Sequence, residues 1–61
     1  MASRGDRVAL QRDLPKDGLN RGDVGSVVLA YPNGVMEVEF LDEAGTRKAL
    51  ITCKPADIAP A

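Results

Sequence analysis

The sequence predicts an all-β domain in which five short strands form one small barrel. Six glycines and four prolines interrupt the 61 residues, and the apolar residues between them fall in short runs. Short apolar runs bounded by turn residues are typical of strands, and none has the length and spacing of a useful helix. A chain this short forms one domain with a thin core, which a closed sheet shields from both sides.

The first predicted strand spans Asp6 to Gln11, where apolar and polar residues alternate. A period of two is the pattern of a half-buried strand. A polar loop follows from Arg12 to Asp23, and its Leu14 and Leu19 are predicted to fold back onto the core. A connection of this length in a small domain often carries function.

The second predicted strand, Val24 to Tyr31, is almost continuously apolar, which indicates a central strand. Gly25 within it suggests a bulge or the close approach of another backbone. Pro32-Asn33-Gly34 then predicts a tight hairpin turn, because Asn and Gly both tolerate positive φ. The third strand spans Val35 to Leu41, with three bulky apolar residues on one face and two glutamates on the other.

A second turn is predicted at Asp42 to Gly45, before a fourth strand from Thr46 to Cys53. Pro55 fits the first position of a short 3-10 turn, and Ile58-Ala59 forms a short last strand whose end Pro60 blunts. This order of strands, with a long first loop and a 3-10 turn before the last strand, matches a five-stranded SH3-like barrel.

The residue inventory favours binding over catalysis. The chain has no histidine, one cysteine (Cys53) and a formal net charge of −1. Because histidine is the commonest general base and metal ligand, we predict no catalytic residues, no metal and no other cofactor. A single free thiol fits a reducing cytoplasm. Residues 1–4 are expected to be a flexible lead-in to the domain at 5–61, and no stretch predicts a signal peptide or membrane span.

The long loop is the best candidate for a binding surface, because it mixes basic and acidic residues that can form specific salt bridges with a protein. An alternative of equal weight is that these charges only solvate the loop around its two leucines. Tyr31, beside the hairpin turn, is added because a half-exposed tyrosine can stack on a partner. The predicted partner-binding residues are Arg12, Asp13, Lys16, Asp17, Arg21 and Tyr31.

Three blocks of the sequence resemble a known family: Gly5-Asp6-Arg7-Val8, the stretch from Arg21 to Val28, and Val38-Glu39-Phe40. They are similar to a family of small bacterial proteins named only as a domain of unknown function, number 4926, over about residues 5–59. The resemblance implies an SH3-like barrel and implies no established activity.

Gly22, Gly25 and Val27 also resemble, more loosely, the KOW motif of transcription and ribosome-associated proteins. That resemblance implies nucleic-acid binding. KOW domains that bind RNA generally carry a surplus of basic residues, and this chain has eight basic and nine acidic residues.

The sequence therefore predicts a non-catalytic module that binds another protein, either as an accessory subunit or as the neutralising partner of a neighbouring toxin or enzyme. A KOW-like nucleic-acid or ribosome-associated module is the alternative. No membrane association is expected. Self-association through an exposed strand edge stays open, because edges offer unpaired backbone groups to a second copy.

Overall fold

The computed structural model describes residues 3–61, which form one antiparallel sheet and two 3-10 turns, with no α-helix among them. Met1 and Ala2, half of the predicted lead-in, lie outside the described residues. The strands are β1 (Arg7–Leu10), β2 (Val24–Ala30), β3 (Met36–Leu41), β4 (Arg47–Cys53) and β5 (Ile58–Pro60). The first 3-10 turn is Pro15–Asp17, and the second is Pro55–Asp57.

The strands follow the order β4-β3-β2-β1-β5, which confirms the predicted all-β, five-stranded SH3-like arrangement. The last strand returns to the first, so that Leu10 lies opposite Ile58 and Val8 opposite Pro60. Among the described residues the ladders are β1–β2, β1–β5, β2–β3 and β3–β4, and no ladder joins β4 to β5. The sheet is thus open along one side, between β4 and β5, whereas the sequence analysis predicted a closed sheet.

The core is built from alternate residues of the strands and from one residue of the long loop. Leu19 is 1 % exposed and Leu14 packs against the core, so the predicted anchoring of the loop is confirmed. Cys53 is fully buried, and this burial raises the pKa of its thiol. The buried apolar residues are Val8, Leu10, Leu19, Val27, Met36, Val38, Phe40 and Cys53.

Gly25 marks a close approach of β2 to β3, one of the two interpretations that the sequence allowed. A Cβ atom added there would lie 2.7 Å from Val38 Cγ1 and 2.8 Å from the backbone oxygen of Glu39. The irregularity in the β2–β3 pairing lies elsewhere, between Val27 and Leu29. The glycine is therefore required for contact between strands.

The hairpin turn between β2 and β3 forms as predicted, but its mechanism differs at Asn33. Only Gly34 adopts a positive φ (88°), and every described residue with positive φ is a glycine. Asn33 instead uses its side chain, whose Oδ1 accepts a hydrogen bond from the Val35 N–H at 3.1 Å. Tyr31 N–H closes the turn by donating to the Val35 carbonyl at 2.8 Å.

Pro60 is part of β5, whereas the sequence placed it just beyond the strand. The Gln11 N–H donates to Asp57 O and the Ala61 N–H to Arg7 O, which fixes the residues of β5 that bond to β1. Antiparallel ladders alternate, so the nitrogen of Pro60 faces away from β1 and costs the ladder no bond. Pro60, which has no N–H, therefore removes one hydrogen-bond donor from the free edge of β5 and makes that edge less able to pair with another strand.

Candidate functional site: an apolar groove beside the last strand

An open groove of about 730 Å³ lies where three separate segments of the chain meet. Its lining includes the buried side chains of Val8 and Met36, so the groove reaches down to the core. This volume is within the range of about 300–1,000 Å³ that ligand sites occupy. The lining comes from the N-terminal segment (Ser3, Arg4, Asp6, Arg7, Val8), the hairpin turn (Ala30, Tyr31, Pro32, Gly34, Val35, Met36) and the C-terminal segment (Pro55, Ile58, Ala59, Pro60, Ala61).

Two local features hold the walls of this groove in place. The β1–β5 pairing brings Pro60 beside Val8, which joins the N-terminal and C-terminal segments. The hairpin turn approaches the second 3-10 turn, since a Cβ added at Gly34 would lie 3.5 Å from Pro55 Cγ. Proline rings on both walls present apolar surface on a rigid backbone.

Tyr31 is the one predicted site residue that lines the groove. Its side chain is 41 % exposed, and its hydroxyl donates a hydrogen bond to Glu37 Oε2 at 3.0 Å. That hydrogen bond to a carboxylate raises the pKa of Tyr31. Because Glu37 also accepts from the Thr52 hydroxyl at 2.8 Å, the ring is held in one orientation at the rim of the groove.

The other predicted residues lie on the long loop, where two of the charged groups have structural roles. Asp13 Oδ1 accepts the Arg21 backbone N–H at 2.8 Å. Arg12 Nε donates to Asp57 Oδ1 at 3.0 Å and so ties the loop to the second 3-10 turn. In the part of the chain that the structure describes, no hydrogen bond or ion pair joins Tyr31 to the loop.

Lys16, Asp17 and the side chain of Arg21 are exposed on the loop. None of the three side chains has a hydrogen-bonding partner among the described residues. The first 3-10 turn, which the sequence analysis did not predict, carries Lys16 and Asp17. These charges are available to a partner, and the loop stays a candidate surface of its own.

Three acidic side chains of the β3–β4 hairpin, those of Glu37, Glu39 and Asp42, form hydrogen bonds within the fold. Glu39 Oε2 accepts a hydrogen bond from Arg47 Nε at 2.8 Å, which makes an ion pair between β3 and β4. Asp42 Oδ1 accepts the backbone N–H groups of Ala44 and Thr46, both at 2.9 Å, and so caps the turn.

Asp57 is expected to make the stability of the fold depend on pH. Its carboxylate accepts the Lys54 backbone N–H at 3.0 Å, and this bond, supported by Arg12, holds the pKa below the ordinary 3.8. A carboxyl whose folded pKa is lowered stabilises the fold above its unfolded pKa, and that stabilisation is lost as pH falls through the folded pKa. Asp57→Asn should therefore be less stable than wild type at neutral pH and approach it in acid.

Urea unfolding of both proteins, in steps from neutral pH to well below pH 3.8, measures this convergence. Asp17→Asn is the matched control, because it removes an exposed carboxylate that has no side-chain partner in the described chain. Its stability should follow the wild-type curve. A constant gap between Asp57→Asn and wild type at every pH would show that Asp57 does not contribute through its charge.

Two arginines stand on the groove lining, and the sequence analysis assigned neither of them to the predicted protein-binding site. Arg4 and Arg7 are both exposed, and neither has a carboxylate within 4.0 Å among the described residues. The only acidic side chain on the lining, Asp6, accepts the Ser3 backbone N–H at 2.7 Å. The groove thus combines an apolar floor with a basic rim.

Neither a metal site nor a membrane-spanning helix is found among the described residues. Residues 3–61 contain no group of three or more potential metal-ligating side chains. They also contain no helix that is long and apolar enough to cross a membrane.

The fold and the groove define a small all-β domain of SH3-like architecture with an open apolar site. The chain belongs to the family described as Domain of unknown function (DUF4926), whose family model matches residues 5–60. No curated protein and no solved structure gives a significant match.

Proposed function

We propose that this chain is a non-catalytic binding module that holds an apolar segment of a protein partner in the groove between β5 and the β2–β3 hairpin turn. The groove is the observation that supports this proposal. It leaves apolar side chains and proline rings exposed that a domain with a thin core would otherwise bury. A cytoplasmic location is part of the proposal and is favoured by the single free cysteine.

The extent of the apolar surface favours a protein over a small molecule. Tyr31 stands at the rim, and Leu29, two residues earlier on β2, is 45 % exposed. Leu29 pairs with Glu37, and Tyr31 donates to the same carboxylate, so both lie on the outer face of the sheet. The apolar surface therefore continues out of the groove onto that face, which is characteristic of protein interaction sites.

The polar groups on the lining suit binding better than catalysis. Asp6, the one carboxylate side chain there, is exposed and held by the Ser3 N–H. General acid–base catalysis needs a sheltered group with a pKa matched to its task and a second group that orients it. Because the lining offers no sheltered acid–base pair, we assign Arg4 and Arg7 on the rim to partner recognition and not to catalysis.

Blocking the groove should abolish partner capture. In Ala30→Lys a long side chain replaces an exposed methyl group on the lining, so the groove is filled while the core is untouched. Ala44→Lys makes the same chemical change in the exposed β3–β4 turn and serves as the matched control. We expect tagged wild type and Ala44→Lys to recover one protein in stoichiometric amount from cells of the source organism, and Ala30→Lys to recover at least about tenfold less.

A third variant separates the groove from the loop. Lys16→Glu with Arg21→Glu reverses the exposed charges of the loop and leaves the groove intact. Loss of the partner in this variant, with normal capture by Ala30→Lys, would move the binding surface to the loop. Recovery of RNA or DNA that a salt wash removes would support the nucleic-acid alternative, since phosphate contacts weaken steeply with salt.

A further inference from the structure

We infer that the segment bound in the groove carries a carboxylate side chain next to its apolar residues, and that Arg4 and Arg7 recognise this carboxylate. The inference rests on the proposed function and specifies the chemistry of the partner. It follows from the charged side chains of the groove lining, two arginines and one aspartate, whose balance is opposite in sign to that of the side chains of the chain as a whole.

The charges on the lining are unequal. Two arginine side chains and one aspartate side chain, that of Asp6, belong to the groove lining, and Asp6 already accepts the Ser3 N–H at 2.7 Å. Two of the other three arginines of the described chain are engaged: Arg12 binds Asp57 at 3.0 Å and Arg47 binds Glu39 at 2.8 Å. The side chain of Arg21 is exposed on the loop, away from the groove. Arg4 and Arg7 have no carboxylate within 4.0 Å among the described residues.

An acidic peptide fits this arrangement better than a nucleic acid. A guanidinium binds a carboxylate through two parallel hydrogen bonds, which sets both position and direction. The apolar lining beside it includes the partly exposed Val35 and Ile58 and the exposed Pro60, which match apolar side chains and offer no stacking platform for several bases. Arg12, which would extend a basic patch, is already paired with Asp57.

A selection from a displayed library of random peptides tests the inference with the whole 61-residue chain. Enriched peptides should carry Asp or Glu within one or two positions of apolar residues. A synthetic peptide of the consensus sequence should bind Arg4→Gln/Arg7→Gln about tenfold more weakly than wild type, the loss expected when charge-assisted hydrogen bonds are removed. Lys16→Gln/Arg21→Gln loses two charges outside the groove and should bind like wild type.

The outcomes separate the inference from the proposed function. Enriched peptides that lack acidic residues, or that bind equally to Arg4→Gln/Arg7→Gln, while Ala30→Lys abolishes binding, would overturn the inference and leave the groove as a binding site. Peptides that bind Ala30→Lys normally, or a library that yields no binder, would count against both. A single-stranded RNA that displaces the consensus peptide and depends on Arg4 and Arg7 would also overturn the inference. Thermal unfolding of each variant checks that it is folded.

Discussion

Gly25→Ala is expected to lower the free energy of unfolding by about 1–3 kcal/mol or more, the usual cost of forcing an extra methyl into a well-packed site. The methyl group would lie under 3 Å from three atoms, namely Val38 Cγ1, the Glu39 carbonyl oxygen and Phe40 Cε2. The carbonyl belongs to the backbone of β3, which pairs with strands on both sides and cannot shift alone. A domain of this size has only about 3–5 kcal/mol from its core, so much of the variant should be unfolded.

Equilibrium unfolding in urea measures this effect, and Gly45→Ala provides the matched control. A Cβ at Gly45 meets no atom within 4 Å, but the residue has φ 83°, so its replacement tests the cost of positive φ without crowding. That cost is about 1–2 kcal/mol. If Gly25→Ala were as stable as wild type, the close approach of β2 and β3 described above would be wrong.

Leu19→Ala is expected to destabilise the domain by about 2–5 kcal/mol, as buried leucine truncations do. Leu19 is 1 % exposed and is the one loop residue that is fully buried in the core. Two backbone hydrogen bonds join it to Leu14, at 2.9 and 3.1 Å, so its removal also loosens the rest of the loop. Backbone amides from Leu14 to Leu19 should therefore lose protection from hydrogen exchange before those of β3.

Leu41→Ala is the control for this variant. Leu41 is 52 % exposed on β3, and its truncation should change stability by no more than about 0.5 kcal/mol. Equal destabilisation by both variants would contradict the role of Leu19 as the anchor of the loop. Because Leu19→Ala is expected to be only marginally folded, a second variant tests the same contact. Leu19→Met conserves the side-chain volume and should lower the free energy of unfolding by less than about 1.5 kcal/mol.

Most of the fold could be predicted from local patterns, because each strand follows from alternation or an apolar run bounded by turn residues. The second 3-10 turn was predicted from Pro55, while the first was not, although Pro15 opens it in the same way and Gly18 closes it with φ 68°. Observed strand ends differ from the predicted ones by at most one residue. At Thr46, for example, the carbonyl accepts the Asp42 N–H of the turn, and β4 begins one residue later.

The groove could not be predicted from local patterns, because its walls are far apart in the sequence. Arg7, Tyr31 and Pro60 become neighbours only through the register of β1 with β5 and the approach of Gly34 to Pro55. Tyr31 was predicted as a site residue because of its exposure, which the structure shows as 41 %. The binding role of the loop charges stays a prediction, and the structure adds that Arg12 and Asp13 also brace the fold.

Site-specific photocross-linking in cells tests most directly whether the groove is the binding surface. Benzoylphenylalanine would replace Tyr31 at the rim of the groove in one protein and Lys16 on the exposed loop in another. If the account is correct, position 31 cross-links to one protein and position 16 does not. A protein cross-linked from position 16 but not from position 31 would contradict the account and place the partner on the loop.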